Sequence, residues 1–271
     1  MLGASRRSLD EARGALTARS QADGTAGYPE LATELFSVAR LLDDNLELRR
    51  LLSDSGTDLD RRTALVKELF TGKLTERAVE VVVDVVGRRW SEANDLADAA
   101  EALGAQALFL AAEADGSLDT VEDELYRLSR VAQGSVELRN TMSDRWLPAE
   151  RKVALVRDLL GGRTTTATQV AVEQVVASPR GRRLEDALTE LARLASDRHG
   201  EVMAEVHVAT PMTGDQPTRL AAALTRIYGR SVRIAQIVEP DLVGGVKVVV
   251  GGEVIDGSVA RRLEQARQQL A

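Results

Sequence analysis

EPDLVGGVKVVVGGEVIDGS, residues 239–258, decides the fold at the end of this chain. The ring of Pro240 crowds the residue before it and pushes Glu239 into an extended conformation. Val243, Val246, Val248 and Val250 then alternate at the period of a half-buried strand. One strand therefore ends near Glu239 and another begins near Val243. Gly244 and Gly245 stand where a branched residue would suit a strand better, which points to a bulge or to close approach by another backbone. Gly251 and Gly252 make the next turn. Asp256 precedes SVARRLEQARQQL, so its carboxylate is placed to accept from the orphan amides of a helix start, worth about 1 kcal/mol relative to alanine.

Working upstream, EVMAEVHVAT puts Val202, Ala204, Val206 and Val208 on one side of a strand. Pro211, Gly214 and Pro217 read as a loop, RLAAALTRIYG as a helix that Gly229 can end in a left-handed cap, and SVRIAQIV as a strand. Strand, helix, strand, strand and helix make a small α/β unit over residues 199–271.

Before residue 199 the periodicity is helical. SLDEARGAL carries Leu9, Ala12 and Leu16 at helical spacing, and SQADGTAGYP, 20–29, reads as a loop. A second helix follows over 30–43, LELRRLL makes a third, and a fourth runs from Asp58 to Phe70. Residues 76–86 are apolar nearly all round, as in a helix at the centre of a bundle, and a sixth helix is expected from Ser91. The same string then recurs at a constant offset. LFSVARLLDDNLELRRLLSD, 35–54, lies over LYRLSRVAQGSVELRNTMSD, 125–144; RRTALVKELFTG, 61–72, lies over RKVALVRDLLGG, 151–162; VVDVV, 82–86, lies over VEQVV, 172–176. An unbroken register is the mark of a duplicated helical module rather than of similar composition. The expected fold is mainly α, with two tandem helical bundles followed by a small sheet with helices.

Composition narrows the function. The chain has 271 residues, 44% of them hydrophobic, and only 3% aromatic, so its core is built from Leu, Val and Ala. The absence of cysteine removes disulfides, thiolate metal sites and cysteine nucleophiles together. A formal charge of -7 repels nucleic acid and anionic lipid unless a basic face is segregated. The N-terminal MLGASRRSLDEAR lacks the apolar run of a signal peptide, and its acids Asp10 and Glu11 are foreign to a transit peptide. AVEVVVDVV, 78–86, is too short and too charged to cross a bilayer.

No phosphate loop, dinucleotide fingerprint, zinc-protease helix or nucleophile elbow occurs in the chain. His199 sits at a polar helix end and His207 on the outer side of a strand, and neither has the oriented partner and pocket that a catalytic base needs. GGEVIDGS lacks the lysine of a phosphate loop and is acidic. PRGRR, 179–183, is the best candidate for an anion or nucleic-acid site, against the plainer reading of a solvated helix start. Its echo in the first copy is Arg88 and Arg89. An RNA-binding helical adaptor of the antitermination type is thus the competing reading, and it requires RNA affinity that falls steeply with salt.

DLVGGVKVVVGGEVIDGSVARRLEQ, 241–265, resembles the C-terminal signature of the delta (OSCP) subunits of F-type ATP synthase. Two turn positions depart from the pattern, Glu239 before the proline and Gly252 after the strand. AQALFLAAEADGSLDTVEDEL, ELRNTMSDRWLPAERKVALVRDLLGG and SPRGRRLEDALTELARLASDRHGEVMAEV resemble that family's N-terminal bundle. The resemblance covers residues 104–271 and implies an extra module at 1–103, a delta-type bundle at 104–198 and the α/β domain at 199–271. This arrangement is similar to the extended delta subunits of high-GC Gram-positive bacteria.

The resemblance implies a non-catalytic stator subunit with no cofactor, peripheral at the cytoplasmic face of the membrane, one copy per complex. It implies that helices from the N-termini of alpha subunits lie in a groove between the first and fifth helices of the second bundle. That groove falls on Ala105, Leu108, Phe109 and Ala112 and on Val172, Val175 and Val176. The C-terminal domain is expected to take the ends of the b helices, with Leu242, Gly244, Gly245, Asp256, Gly257 and Ser258 as its signature. The first copy, with a poorer first helix, is expected to pack along b as a spacer.

Overall fold

The computed structural model describes residues 1, 3–144, 146–198, 201–228, 231–239, 242, 244–250 and 253–256. Its contacts divide the chain into two compact units, Met1–Ala192 and Arg193–Ala271.

The first unit is helical, and its elements repeat at the same offset as the sequence. Helices α1 (Ala4–Asp23), α2 (Tyr28–Asp44), α3 (Leu46–Ser53), α4 (Leu59–Phe70) and α5 (Glu76–Gly87) form the first set. Helices α6 (Ala93–Ala114), α7 (Leu118–Gly134), α8 (Val136–Ser143), α9 (Ala149–Leu160) and α10 (Thr166–Ala177) form the second, and α11 (Leu184–Arg198) follows. From α2/α7 to α5/α10 every boundary is displaced by 90 residues.

Polar contacts repeat with the helices. Glu34 accepts from the Thr75 amide and hydroxyl, both at 2.6 Å, and so joins α2 to the start of α5. Glu124 accepts from the Thr165 amide and hydroxyl at 3.0 and 2.9 Å in the second repeat. The buried cation of Arg62 donates to the carbonyls of Leu52 and Val86, and its counterpart Lys152 donates to Met142 O at 2.8 Å. Arg49 and Arg139 donate to the last carbonyls of α2 and α7, where a cation also meets the negative end of the helix dipole. A buried charge is tolerable only with such partners, so these positions carry a constraint in both copies.

Sequence expectations change at several points in this unit. The first helix does not stop at residue 20. Ser20 returns its hydroxyl to Thr17 O, and the chain turns only at Gly24 and Gly27, with φ of 75° and 80°. The first copy therefore has a complete first helix. Helix α5 is buried along one face only, through Ala78, Val81, Val82, Val85 and Val86; the helix buried all round is α6. Helix α6 begins after Glu92, which with Asp95 forms a capping box, while the Ser91 amide donates to Ser5. The boundary drawn between residues 103 and 104 falls inside α6. That helix closes the first repeat and opens the second.

The second unit contains β1 (Glu201–Val208), α12 (Gln216–Tyr228), β2 (Ser231–Val238), β3 (Val246–Val250) and β4 (Glu253–Asp256) in the sheet order β2-β1-β3-β4. Strands β1 and β2 are parallel, which requires a crossover, and α12 supplies it. Strand β3 runs antiparallel to both β1 and β4. Ala204, Val206, Val208, Val232, Val248 and Val250 close over Leu224 of α12 as the core. The observed class is thus mainly α with a small α/β part. The fourth strand is an addition to the expected unit, since EVID is too short to show alternation and only its pairing with β3 makes it a strand. Asp256 is its last residue. Gly229, Val243, the turn glycines Gly251 and Gly252, and residues 257–271 with their expected helix lie outside the described residues.

Candidate functional site

The seven groove residues are all core. Ala105, Leu108, Phe109 and Ala112 are each 1% exposed, and Val172, Val175 and Val176 no more than 4%. The repeat separates two causes. Val82, Val85 and Val86, the counterparts on α5, are equally buried and line the interior of the first repeat with Leu35, Val38 and Leu42. The α10 valines likewise belong to their own repeat's core; Val172 faces Leu128 and Ala132 across it. On α1, by contrast, the counterparts are Ala15, Ala18, Arg19 and Ala22. Ala18 and Ala22 are exposed and the other two half-buried. The α6 face is therefore more deeply buried than its counterpart on α1.

Helices α1 and α2 of the first repeat lie against that helix. A Cβ on Gly104 would fall 2.6 Å from Phe36 Cε1 and 3.2 Å from the Ala32 carbonyl oxygen, so the glycine is what lets α2 approach α6. Gln106 donates to Arg13 O and to Thr17 of α1, each at 2.9 Å. Further along α2, Arg40 donates to Gln174 of α10. Across α1 and α5, Arg19 pairs with Glu80 at 3.5 Å and Arg88 with Glu11 at 2.8 Å. The corresponding face of the first repeat is thus open, but it offers small and charged side chains instead of bulky apolar ones.

PRGRR is divided: Arg182 and Arg183 are exposed just ahead of α11, as in a solvated helix start, whereas Arg180 is buried. The Arg180 guanidinium, 8% exposed, lies 2.7 Å from Asp98, 3.5 Å from Asp43 and 3.6 Å from Glu101. Arg182 pairs with Glu101 at 2.7 Å, and Arg183 with Asp186 at 2.9 Å. Arg180 holds this place at φ 52°, an unusual backbone for a residue with a side chain. Burial pushes the Asp98 carboxyl above its ordinary range, although Arg180 pulls it down. With its cations matched by acids, the run has little to offer a phosphate backbone. Trp90 holds the equivalent position in the first repeat, its indole N–H on Val85 O. Sequence reasoning could not see this substitution of clamp for plug, because the arginine's partners are up to 137 residues away.

The second repeat also exposes apolar side chains: Val131, Val136, Leu155, Leu159 and Trp146, the last 92% exposed. Beside them a cavity of about 220 Å³ opens between α7, α9 and α11, lined by Leu128, Val131, Leu159, Leu160, Leu184 and Leu188. Grouped exposed apolar side chains of this kind mark binding faces.

In the second unit, Gly244 and Gly245 have φ of 142° and 84° and border a cavity of about 290 Å³ with Val208, Pro211, Met212 and Leu220. Leu242 is half-buried and its amide donates to Glu239 O. The described part of the signature thus frames an open slot. Side chains at 256–258 lie outside the described set. His207 is held by Glu239, Nδ1 to Oε1 at 2.7 Å, which ties β1 to the end of β2; His199 lies outside the described residues.

Among the described residues, no group of three or more His, Cys, Asp or Glu is placed to hold a metal, and no helix is long and apolar enough to cross a membrane. The helical unit and the small sheet unit each present apolar surface of the kind that marks binding faces. The family follows from comparison. The family described as "ATP synthase delta (OSCP) subunit" matches residues 104–270, and the chain belongs to it. The ATP synthase subunit delta of Acidothermus cellulolyticus is 42% identical over 242 residues, 89% of this chain and 88% of that one. That of Streptomyces avermitilis is 40% identical over 269 residues, 99% of this chain and 98% of its own, so the likeness includes the first repeat. Among solved structures, a chain of the Toxoplasma gondii mitochondrial ATP synthase hexamer is 21% identical, covering 61% of this chain and 94% of its own, with a TM-score of 0.39.

Proposed function

We propose that this chain is a non-catalytic subunit of the peripheral stalk of an F-type ATP synthase, tying the catalytic head to the membrane-anchored b subunits. The helical unit binds N-terminal helices of alpha subunits, and the C-terminal unit takes the ends of the b helices. One copy serves each complex at the cytoplasmic face of the membrane, held there by its partners. The observation that carries this reading is the family match over 104–270, which runs from the middle of α6 through α11 and into the sheet domain. Torque demands broad apolar packing, because exposed ion pairs contribute at most about 1 kcal/mol each. The exposed apolar side chains of α7–α9 and the Gly244–Gly245 slot are of that kind.

Under this reading the first repeat extends and stiffens the stalk. What supports it is α6, a continuous helix of 22 residues that both repeats share. The experiment is a binding assay with the whole chain, an alpha N-terminal peptide and the b C-terminal helix. Gly245→Val is expected to weaken b while leaving alpha unchanged; loss of alpha alone would reverse the division of labour. The RNA-binding alternative loses its motif to the acids around Arg180.

A further inference from the structure

We infer that the cavity between α7, α9 and α11 is a socket for one apolar side chain, leucine or phenylalanine in size, carried by an amphipathic partner helix that lies along α9. The internal duplication supplies the comparison. Around Val38, Leu42 and Val82 the first repeat holds a cavity of about 10 Å³, whereas around their counterparts Leu128, Ala132 and Val172 the second holds one of about 220 Å³. Two exchanges in the wall run in the right direction. Leu42 is replaced by Ala132 and Phe70 by Leu160, and each removes three side-chain carbons, while the single carbons exchanged between Leu41 and Val131 and between Val38 and Leu128 cancel. Truncations of this kind leave a void because the surroundings collapse only in part. Both cavities have a covering helix, for Leu96 of α6 lines the first and Leu188 of α11 the second, and both leucines are buried. The larger space is thus not for want of a lid.

The missing atoms specify the occupant. The wall is Leu, Val and Ala throughout, so it suits a neutral hydrocarbon group and offers nothing to a charge or a hydrogen-bonding group. The mouth shows how that group arrives. Val131 and Leu159 line the cavity and are half exposed, and Leu155 extends the apolar surface one turn back along α9. The first-repeat counterparts Leu65 and Leu69 are less exposed. A free molecule filling the cavity would leave this collar in water, whereas a helix laid across it covers the collar as its side chain enters. Exposed Arg151 stands one turn before Leu155 and exposed Arg163 just beyond the end of α9, with Asp158 the only acid in the sequence between them. The helix that fits is therefore acidic towards its ends. Naming an alpha N-terminal helix as that partner rests on the proposed function; the socket and the chemistry of its occupant do not.

Ala132→Leu combined with Leu160→Phe restores the first repeat's wall within the whole chain. Toluene is the free hydrocarbon probe and an alpha N-terminal peptide the helix, both followed through the protein's methyl signals in NMR. We expect toluene to shift the signals of Leu128, Leu159 and Val172 in the unaltered chain and not in the refilled one, and the peptide to displace it. Refilling should weaken the peptide by at least about tenfold, the scale of one buried apolar side chain. The refilled chain should unfold in urea no earlier than the unaltered one; if it fails to fold, Leu159→Ser removes a half-exposed leucine of the collar and is expected to weaken the peptide likewise. Peptide binding that is equal in all forms overturns the inference and leaves the stalk assignment standing. Toluene that shifts no signal in the unaltered chain overturns the socket itself. Toluene binding with no peptide binding to any form rejects the helix as occupant and, with it, the alpha arm of the proposed function.

Discussion

Gly104 and Phe36 meet so closely that a single methyl group would be 2.6 Å from the ring. Gly104→Ala therefore has to push α2 off α6, and overpacking of this kind costs about 1–3 kcal/mol. The repeat-equivalent Gly14 has open space at the same position on α1, so Gly14→Ala gains helix propensity, about 0.5–1 kcal/mol. Urea unfolding of the two variants should move in opposite directions; a stable Gly104→Ala chain would mean that α2 does not press on α6 as described.

Arg180→Ala leaves Asp98, Asp43 and Glu101 facing one another at the junction of the repeats. Removing one member of a fully buried pair costs about 3–5 kcal/mol, and here Asp98 keeps contact with solvent, so about 2 kcal/mol is expected. Hydrogen exchange should show the loss concentrated at the C-terminal end of α2 and in α6. Uniform loss across the unit would mean that the clamp does not act locally.

Glu173 is held below the usual glutamate range chiefly by its hydrogen bonds from Arg157, with Gln169 adding to them. A carboxylate depressed in the folded state adds stability above its unfolded pKa, and that stability is lost as pH falls through the folded value. Arg157→Ala should raise the Glu173 titration midpoint seen by NMR and lower stability only slightly at neutral pH, since the arginine is largely exposed. No difference between the variants is expected once pH lies below the folded midpoint.

The duplication is legible in the sequence because helices of equal length recur at one offset, and so are the alternating strands around Val206 and Val248. What escapes it is local in signal and distant in cause. SQADGTAGYP looks like a loop in composition, yet only Gly24 and Gly27 adopt left-handed backbone. EVID becomes a strand only by pairing with β3. Ala105 and Leu108 look like a groove wall because they are apolar at helical spacing, a pattern that cannot distinguish a face awaiting a partner from one already covered. Deciding that requires the tertiary packing around α6 and α10, which is set by contacts as distant in sequence as Phe36 to Gly104 and Arg40 to Gln174, 68 and 134 residues apart. Dividing the chain at residue 103 would cut α6, so fragments made there would not test either repeat.

Whether this chain joins head to stalk is decided by sedimentation of the catalytic head, stripped of its own delta subunit, with the labelled cytoplasmic helix of b, with and without the whole chain. We expect b to travel with the head only when the chain is present, in a complex containing one copy of it. A b helix that stays behind although the chain itself sediments with the head, or a chain that sediments with neither, would contradict the stalk assignment.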